Sequence, residues 1–126
     1  MSLNWSKKKN ESKGIIRVEP HGIALAMSDS PDETVAMIAW PAIESVAAFK
    51  RDVFAYDLIC LAITKSDGLT HEVNEQMIGW DKLIAALPQN LPSFPAFEDW
   101  FHRVAIPAFK TNWTVLCQRS GPGVKT

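Results

Sequence analysis

Hydrophobic and polar positions along the first half of the chain predict a series of short strands. A turn at Pro20-His21-Gly22 separates the first two, because proline and glycine favour tight turns. Pro41 separates the next two, because proline cannot donate to a strand ladder and marks a sheet edge or a bulge. The predicted strands are 15–19, 23–27, 35–40 and 43–51; the third has no polar side chain and is expected to be covered on both faces.

The clearest strand in the chain is predicted at 56–65. Its central residues, 58–63, are all apolar, so both faces should be buried and the strand should lie centrally in its sheet. Asp67-Gly68 then predicts a hairpin turn, since this pair tolerates the positive φ that tight turns require. The return strand, 69–76, alternates polar with apolar positions and is therefore expected to be half exposed.

The period of the pattern changes after this hairpin. Apolar residues at i, i+3, i+4 and i+7 predict a short amphipathic helix that begins near Trp80 and ends at Pro88. The same spacing predicts a second helix over 96–106, ended by Pro107. Alternation resumes over 113–119, which is predicted to form a final strand.

This order of elements predicts one α+β domain. About six strands, two short helices near the C-terminus and a last strand fit a strongly bent antiparallel sheet or a partial barrel. The length of 126 residues is that of a single domain. The globular domain is predicted to span 14–119, between a flexible basic tail at 1–13 and a flexible tail at 120–126.

Composition and charge exclude several classes of function. The 13 basic and 14 acidic residues give a net charge of −1, which argues against a nucleic-acid-binding protein. No apolar stretch is long enough to cross a membrane, and the N-terminus has no secretory signal, so a cytoplasmic location is expected. No integral membrane segment is therefore predicted.

The sequence contains no recognisable catalytic or metal-binding motif. His-x-x-x-His, Cys-x-x-Cys, Gly-x-Ser-x-Gly and phosphate-binding glycine loops are all missing. Cys60 and Cys117 lie in apolar segments, where burial would keep thiols inert. A protein that is not an enzyme and carries no cofactor is the expectation, and an enzyme with a dispersed site ranks last.

Five residues are candidates for ligand or partner binding. Charges cluster where one strand ends and the central strand begins, and this cluster is either an Arg51–Asp57 pair that fixes register or a patch for anions or a partner. Tryptophans either fill the core or anchor an interface. The candidates are Lys50, Arg51, Asp57, Trp40 and Trp113.

The region 35–119 resembles a group of small uncharacterised bacterial proteins. The resemblance rests on the run from Trp40 to Asp52, on Tyr56-Asp57, and on Gly79-Trp80 opening a helix. Trp100, Val104, Pro107-Ala108-Phe109 and the Asn112-x-Thr-x-Leu run extend it. Such proteins are similar to immunity or accessory factors, and some have pleckstrin-homology-like sheets, although a strand after the helices departs from that fold.

Two functional hypotheses remain open from the sequence. The first is a non-enzymatic protein-interaction module of the immunity or accessory type, with an unidentified protein partner. The alternative is a protein that binds a small ligand or a lipid headgroup with its curved sheet. A homodimer formed through an edge strand is compatible with either hypothesis.

Overall fold

Strands and helices follow one another in the order that the hydrophobic pattern predicts. The computed structural model describes residues 13–52, 57–106 and 111–119. Apart from Lys13, both predicted tails lie outside the described residues. Tyr56 also lies outside them, and so does Pro107, which is predicted to end the second helix. The strands are β1 (Gly14–Glu19), β2 (Gly22–Met27), β3 (Ala36–Ala39), β4 (Ile43–Asp52), β5 (Asp57–Lys65), β6 (Thr70–Asn74) and β7 (Thr114–Gln118), and the helices are α1 (Trp80–Asn90) and α2 (Phe97–Ala105).

The first three strands form an antiparallel sheet in the order β1-β2-β3. The turn at Pro20-His21 brings Glu19 opposite Gly22, as the sequence predicts. The prediction that the third strand is covered on both faces is wrong, because Val35 and Met37 are exposed. Only one face of β3 packs on the core, so alternate side chains such as Ile38 are buried and those between them are exposed.

The remaining strands form an antiparallel sheet in the order β6-β5-β4-β7. β5 lies between two neighbours and is buried on both faces, which confirms its predicted central position. The hairpin that follows has Gly68 at φ 93°, and the Asp67 carboxylate accepts the Leu69 N–H at 2.9 Å. That hydrogen bond lowers the pKa of Asp67. β6 alternates as predicted, with Val73 buried and Thr70 exposed.

A 3₁₀ turn at Trp40–Ala42 carries the chain from the first sheet to the second. Pro41 lies within this turn, where its missing N–H removes no ladder hydrogen bond. The predicted α+β class and single domain are confirmed, with the strands divided between two sheets.

The first helix differs from its prediction at one end. Pro88 does not stop α1, which continues to Asn90 with the proline inside it. A proline near the C-terminal end of a helix removes only one backbone hydrogen bond. The Leu91 N–H still bonds the Leu87 carbonyl and closes the last turn.

Both helices and both sheets enclose one hydrophobic core. Gly79 precedes α1 with φ 94°, and a Cβ there would collide with the Ile16 carbonyl of β1. The start of α1 therefore packs closely against the first sheet. Trp100 and Val104 of α2 are buried in the same core. Among the described residues, α2 contacts β4, β5 and β7 on one face of the four-stranded sheet, and no described helix covers the other face.

Candidate functional site

Neighbouring residues on β4 point to opposite faces of the four-stranded sheet, because side chains alternate along a strand. Lys50 lies opposite Ile59, and Arg51 lies opposite Leu58. Cross-strand partners share a face, so Lys50 belongs to the face that packs on the helices and Arg51 to the other. We call these the inner face (Lys50, Ile59) and the outer face (Arg51, Leu58).

Lys50 is buried on the inner face. Its side chain is 1% exposed, and its ammonium donates to the Asp57 carboxylate at 3.1 Å and to the Ala105 carbonyl at 2.7 Å. These bonds join β4, β5 and the C-terminal end of α2. A buried ammonium with a carboxylate partner fixes the packing of these elements and is not available to a ligand.

Arg51 lies on the outer face and binds Glu72 of β6. Both N–H···O distances are 2.6 Å, from Nε and Nη2 to the two carboxylate oxygens. The hydrogen bond from Arg51 lowers the pKa of Glu72, and the same carboxylate raises the pKa of Arg51. The predicted Arg51–Asp57 pair is therefore wrong. Asp57 lies on the inner face with Lys50, whereas Arg51 points away from both.

A second, smaller hydrophobic cluster forms the floor of the outer face. Ala62 lies opposite both Ala47 of β4 and Glu72 of β6. The two alanine side chains are small, so the middle of the outer face forms a depression. Cys60 is fully buried here, and burial raises the pKa of its thiol to about 12. The cluster consists of Phe49, Leu58, Cys60 and Ala62.

Trp113 stands on this face beside the cluster. Its ring is stacked on Phe49, with centroids 5.1 Å apart, yet the residue is 58% exposed. Of the two roles that the sequence leaves open for the tryptophans, core or surface, Trp113 therefore has the surface one. The Arg51 guanidinium lies 5.4 Å from the centroid of the same Phe49 ring, so Phe49 supports both exposed side chains.

The segment before β7 holds Trp113 in place. The Lys50 N–H donates to the Thr111 carbonyl at 2.8 Å, and the Asn112 amide donates to the Val104 carbonyl at 2.9 Å. Asn112 has φ 50°, a left-handed conformation that asparagine tolerates better than most residues. The ring is thus positioned by backbone and side-chain bonds to β4 and α2.

These side chains surround an open groove of about 500 Å³, which we call the outer-face groove. Phe49 and Ala62 form its floor, and Trp113 stands on one side with Glu72 on the other. The other residues that line it are Lys50, Arg51, Asp52, Thr70 and Thr111.

The charge of the groove does not favour anions. The Lys50 ammonium is directed to the inner face, and the Arg51 guanidinium is already occupied by Glu72. Asp52 makes no ion pair with any residue that the structure describes. By the same alternation Asp52, which lies opposite Asp57, belongs to the inner face. The outer-face side chains of the groove therefore carry one cation, Arg51, and one carboxylate, Glu72, and are neutral as a set. The predicted anion-recognition patch at Lys50 and Arg51 is not formed.

Trp40, another predicted site residue, belongs to the core. It is buried, and its indole N–H donates to the Glu19 carbonyl at 3.3 Å. Of the five sequence candidates, the structure brings together only Arg51 and Trp113 on the outer face. Phe49 and Glu72 were not among these candidates, although the Asp67-Gly68 hairpin fixes the register that places Glu72 opposite Ala62.

Other chemistry is limited in the described ranges. Within them, no group of three or more His, Cys, Asp or Glu side chains has the geometry to hold a metal ion. No described helix is both long and apolar enough to cross a membrane.

Comparisons with known proteins give no match. No family model, no curated protein and no solved structure is significantly similar to this chain. The function must therefore be inferred from the outer-face groove itself.

Proposed function

We propose that this protein is a non-enzymatic interaction module that binds a partner protein at the outer-face groove. The observation that carries the proposal is Trp113, a large aromatic side chain that is 58% exposed and yet stacked on Phe49. An exposed aromatic ring lowers the solubility of an isolated protein. Because the buried Phe49 ring nevertheless holds Trp113 at the surface, we infer that Trp113 contacts another molecule.

Two features of the groove are those of a protein interface. Tryptophan and arginine are the residues that most often dominate binding energy, and here Trp113 and Arg51 stand side by side over one ring. Both are also held before binding, Arg51 by two bonds to Glu72 and Trp113 by its stacking. Less side-chain entropy is then lost on association.

Binding of a small molecule is the second candidate. The groove volume of about 500 Å³ lies within the usual range of ligand sites and supports it. The groove is open to solvent, however, and only part of its lining is apolar, so a flat or extended macromolecular surface fits it better than an enclosed ligand does. The resemblance to immunity or accessory factors agrees with a protein partner.

Affinity capture with matched variants tests the proposal. The purified full-length protein, the Trp113→Ala variant and the Ile78→Ala variant are each immobilised, and proteins bound from the cells that produce the chain are quantified by mass spectrometry. Ile78 is the control because it is also about half exposed and lies outside the groove.

We expect at least one protein to be enriched equally by the original chain and by Ile78→Ala, and at least fivefold less by Trp113→Ala. Equal enrichment by all three would contradict the proposal. A native mass spectrum that instead shows a stoichiometric small-molecule adduct, lost in Trp113→Ala, would replace it with the ligand-binding function.

A further inference from the structure

The three-stranded sheet has a second face, which points away from the core. Ile23 and Leu25 of β2 are part of the core, so the residues that alternate with them, Ala24 and Ala26, point the other way. Arg17 of β1 lies opposite Ala24 and therefore shares this face with the two alanines. We call it the alanine face (Ala24, Ala26).

Both alanines are shielded although they lie outside the core. Ala24 is 2% exposed and Ala26 is 1% exposed. In the strand ladder, Ala24 lies between Arg17 and Met37, and Ala26 lies beside Ile15. The Arg17 side chain is thus one of the groups placed to cover this face.

Arg17 also bonds the connection between β2 and β3. Its guanidinium donates from Nη1 to the Pro31 carbonyl at 2.9 Å and from Nη2 to the Thr34 hydroxyl at 2.8 Å. Because β2 lies between β1 and β3, these two bonds bring the Arg17 side chain and the connection together across the alanine face. We call residues 29–34 of this connection the strap.

The strap is held by hydrogen bonds at the surface. All six of its residues are exposed. Its ends are fixed by backbone bonds, from the Ser28 N–H to the Lys13 carbonyl at 2.7 Å and from the Val35 N–H to the Leu25 carbonyl at 2.7 Å. A segment that buries little apolar surface opens at a lower free energy than the core does.

The chemistry of the Arg17 contacts makes release of the strap easy to reverse. Both acceptors on the strap are neutral oxygens, and water can replace them. The Arg17 Nε lies 3.6 Å from the Glu19 carboxylate on the same strand, so the guanidinium keeps this ion pair when the strap leaves. Opening therefore breaks two hydrogen bonds without leaving a charge unpaired.

We propose that Arg17 is the latch of a conformational device: the strap has a released state in which the alanine face is open while the domain stays folded. The device lies on the three-stranded sheet and is independent of the outer-face groove. In the latched state Arg17 joins β1 to the strap, and in the released state its two Nη groups face solvent.

Thiol labelling tests this in the full-length protein. Ala24→Cys places a thiol on the alanine face, and Cys60 and Cys117 are both buried, so the background reaction is slow. The rate of reaction with a soluble aromatic disulfide reports how often the face opens. We expect Arg17→Met to raise this rate about tenfold, because both bonds to the strap are lost, with the urea midpoint nearly unchanged.

Matched variants identify the contact that acts. Thr34→Val removes the hydroxyl acceptor and should raise the labelling rate about threefold, whereas Thr34→Ser keeps the hydroxyl and should leave the rate unchanged. Arg103→Met is the control for Arg17→Met, because Arg103 is an exposed arginine on α2, and should also leave the rate unchanged.

Hydrogen exchange gives a second readout that needs no cysteine at position 24. The Glu33 N–H bonds the Ser30 carbonyl within the strap at 3.0 Å. Arg17→Met should speed exchange of the Glu33 amide severalfold and leave the amides of the β2–β3 ladder unchanged.

Three results would overturn the inference. Equal labelling rates with and without Arg17 would show that it is not the latch. Equal acceleration by Arg103→Met would show that the loss of any surface arginine has this effect. Labelling and ladder exchange that rise together with a fall in the urea midpoint would show that the alanine face opens only when the whole domain unfolds.

Discussion

Lys50 and Arg51 are adjacent basic residues on one strand, yet they have different surroundings. The Lys50 side chain is 1% exposed and is bonded to Asp57 and a helix carbonyl, whereas the Arg51 side chain is 55% exposed and is bonded to Glu72. Strand alternation alone separates them. Of these two neighbouring charges, Lys50 therefore stabilises the fold and Arg51 lies at the surface.

The same division applies to the two faces of the four-stranded sheet. The inner face is continuous with the core of the domain, and the outer face has its own small cluster beneath Trp113. Substitutions on the inner face should therefore act on stability, and those of the exposed side chains on the outer face should act on binding with a smaller cost to the fold.

The largest expected effect is that of Lys50→Met. Removal of the ammonium leaves the largely buried Asp57 carboxylate without this positive partner and the Ala105 carbonyl without this donor. We expect the free energy of unfolding to fall by about 3 kcal/mol. Urea unfolding followed by circular dichroism measures it. Arg51→Met is the matched control and should leave the midpoint nearly unchanged. Equal midpoint losses in the two variants would contradict the division between faces.

Trp113→Ala should have a moderate effect on stability. It removes the ring stacked on Phe49, and such an aromatic pair contributes about 1 kcal/mol. Trp113→Phe keeps a ring in this position and should recover most of the loss in the same urea experiment. A loss as large as that of Lys50→Met would show that Trp113 is part of the core and would weaken its assignment to binding.

Glu72→Gln should have the smallest effect, and one that depends on pH. Arg51 holds the folded-state pKa of Glu72 below its ordinary value of 4.5, so the carboxylate adds stability above that pH. This stability is lost as the pH falls through the lowered folded-state pKa. The urea midpoints of the two proteins should therefore differ at pH 7 and converge as the pH falls below 4.5 and through the lowered folded-state pKa of Glu72. A difference that grows on acidification would show that Arg51 does not stabilise the ionised Glu72.

Much of the fold was predictable because its signals are local. The apolar run of β5, the Asp67-Gly68 turn and the spacing of Trp80 and Leu83 each depend on neighbouring residues. The errors have non-local causes. Pro88 is tolerated because α1 ends two residues later, and one side of β3 is exposed because only its other side packs on the core.

The site was predictable only in part. Arg51 and Trp113 were candidates, but their partners come from residues distant in sequence, Glu72 on β6 and Phe49 on β4. Strand alternation already implies that the side chains of Lys50 and Arg51 point to opposite faces of the sheet. Which carboxylate each one meets depends on strand register, and the exposure of Trp113 depends on which face the helices cover.

Hydrogen exchange on the protein with its captured partner tests the central claim most directly, namely that the outer face forms the binding surface. Amides of 113–118, together with those of Phe49 and Arg51, should exchange more slowly in the complex, and those of α1 and α2 should be unaffected. Protection confined to the helices or to β1–β3 would contradict it, because the partner would then bind elsewhere on the domain.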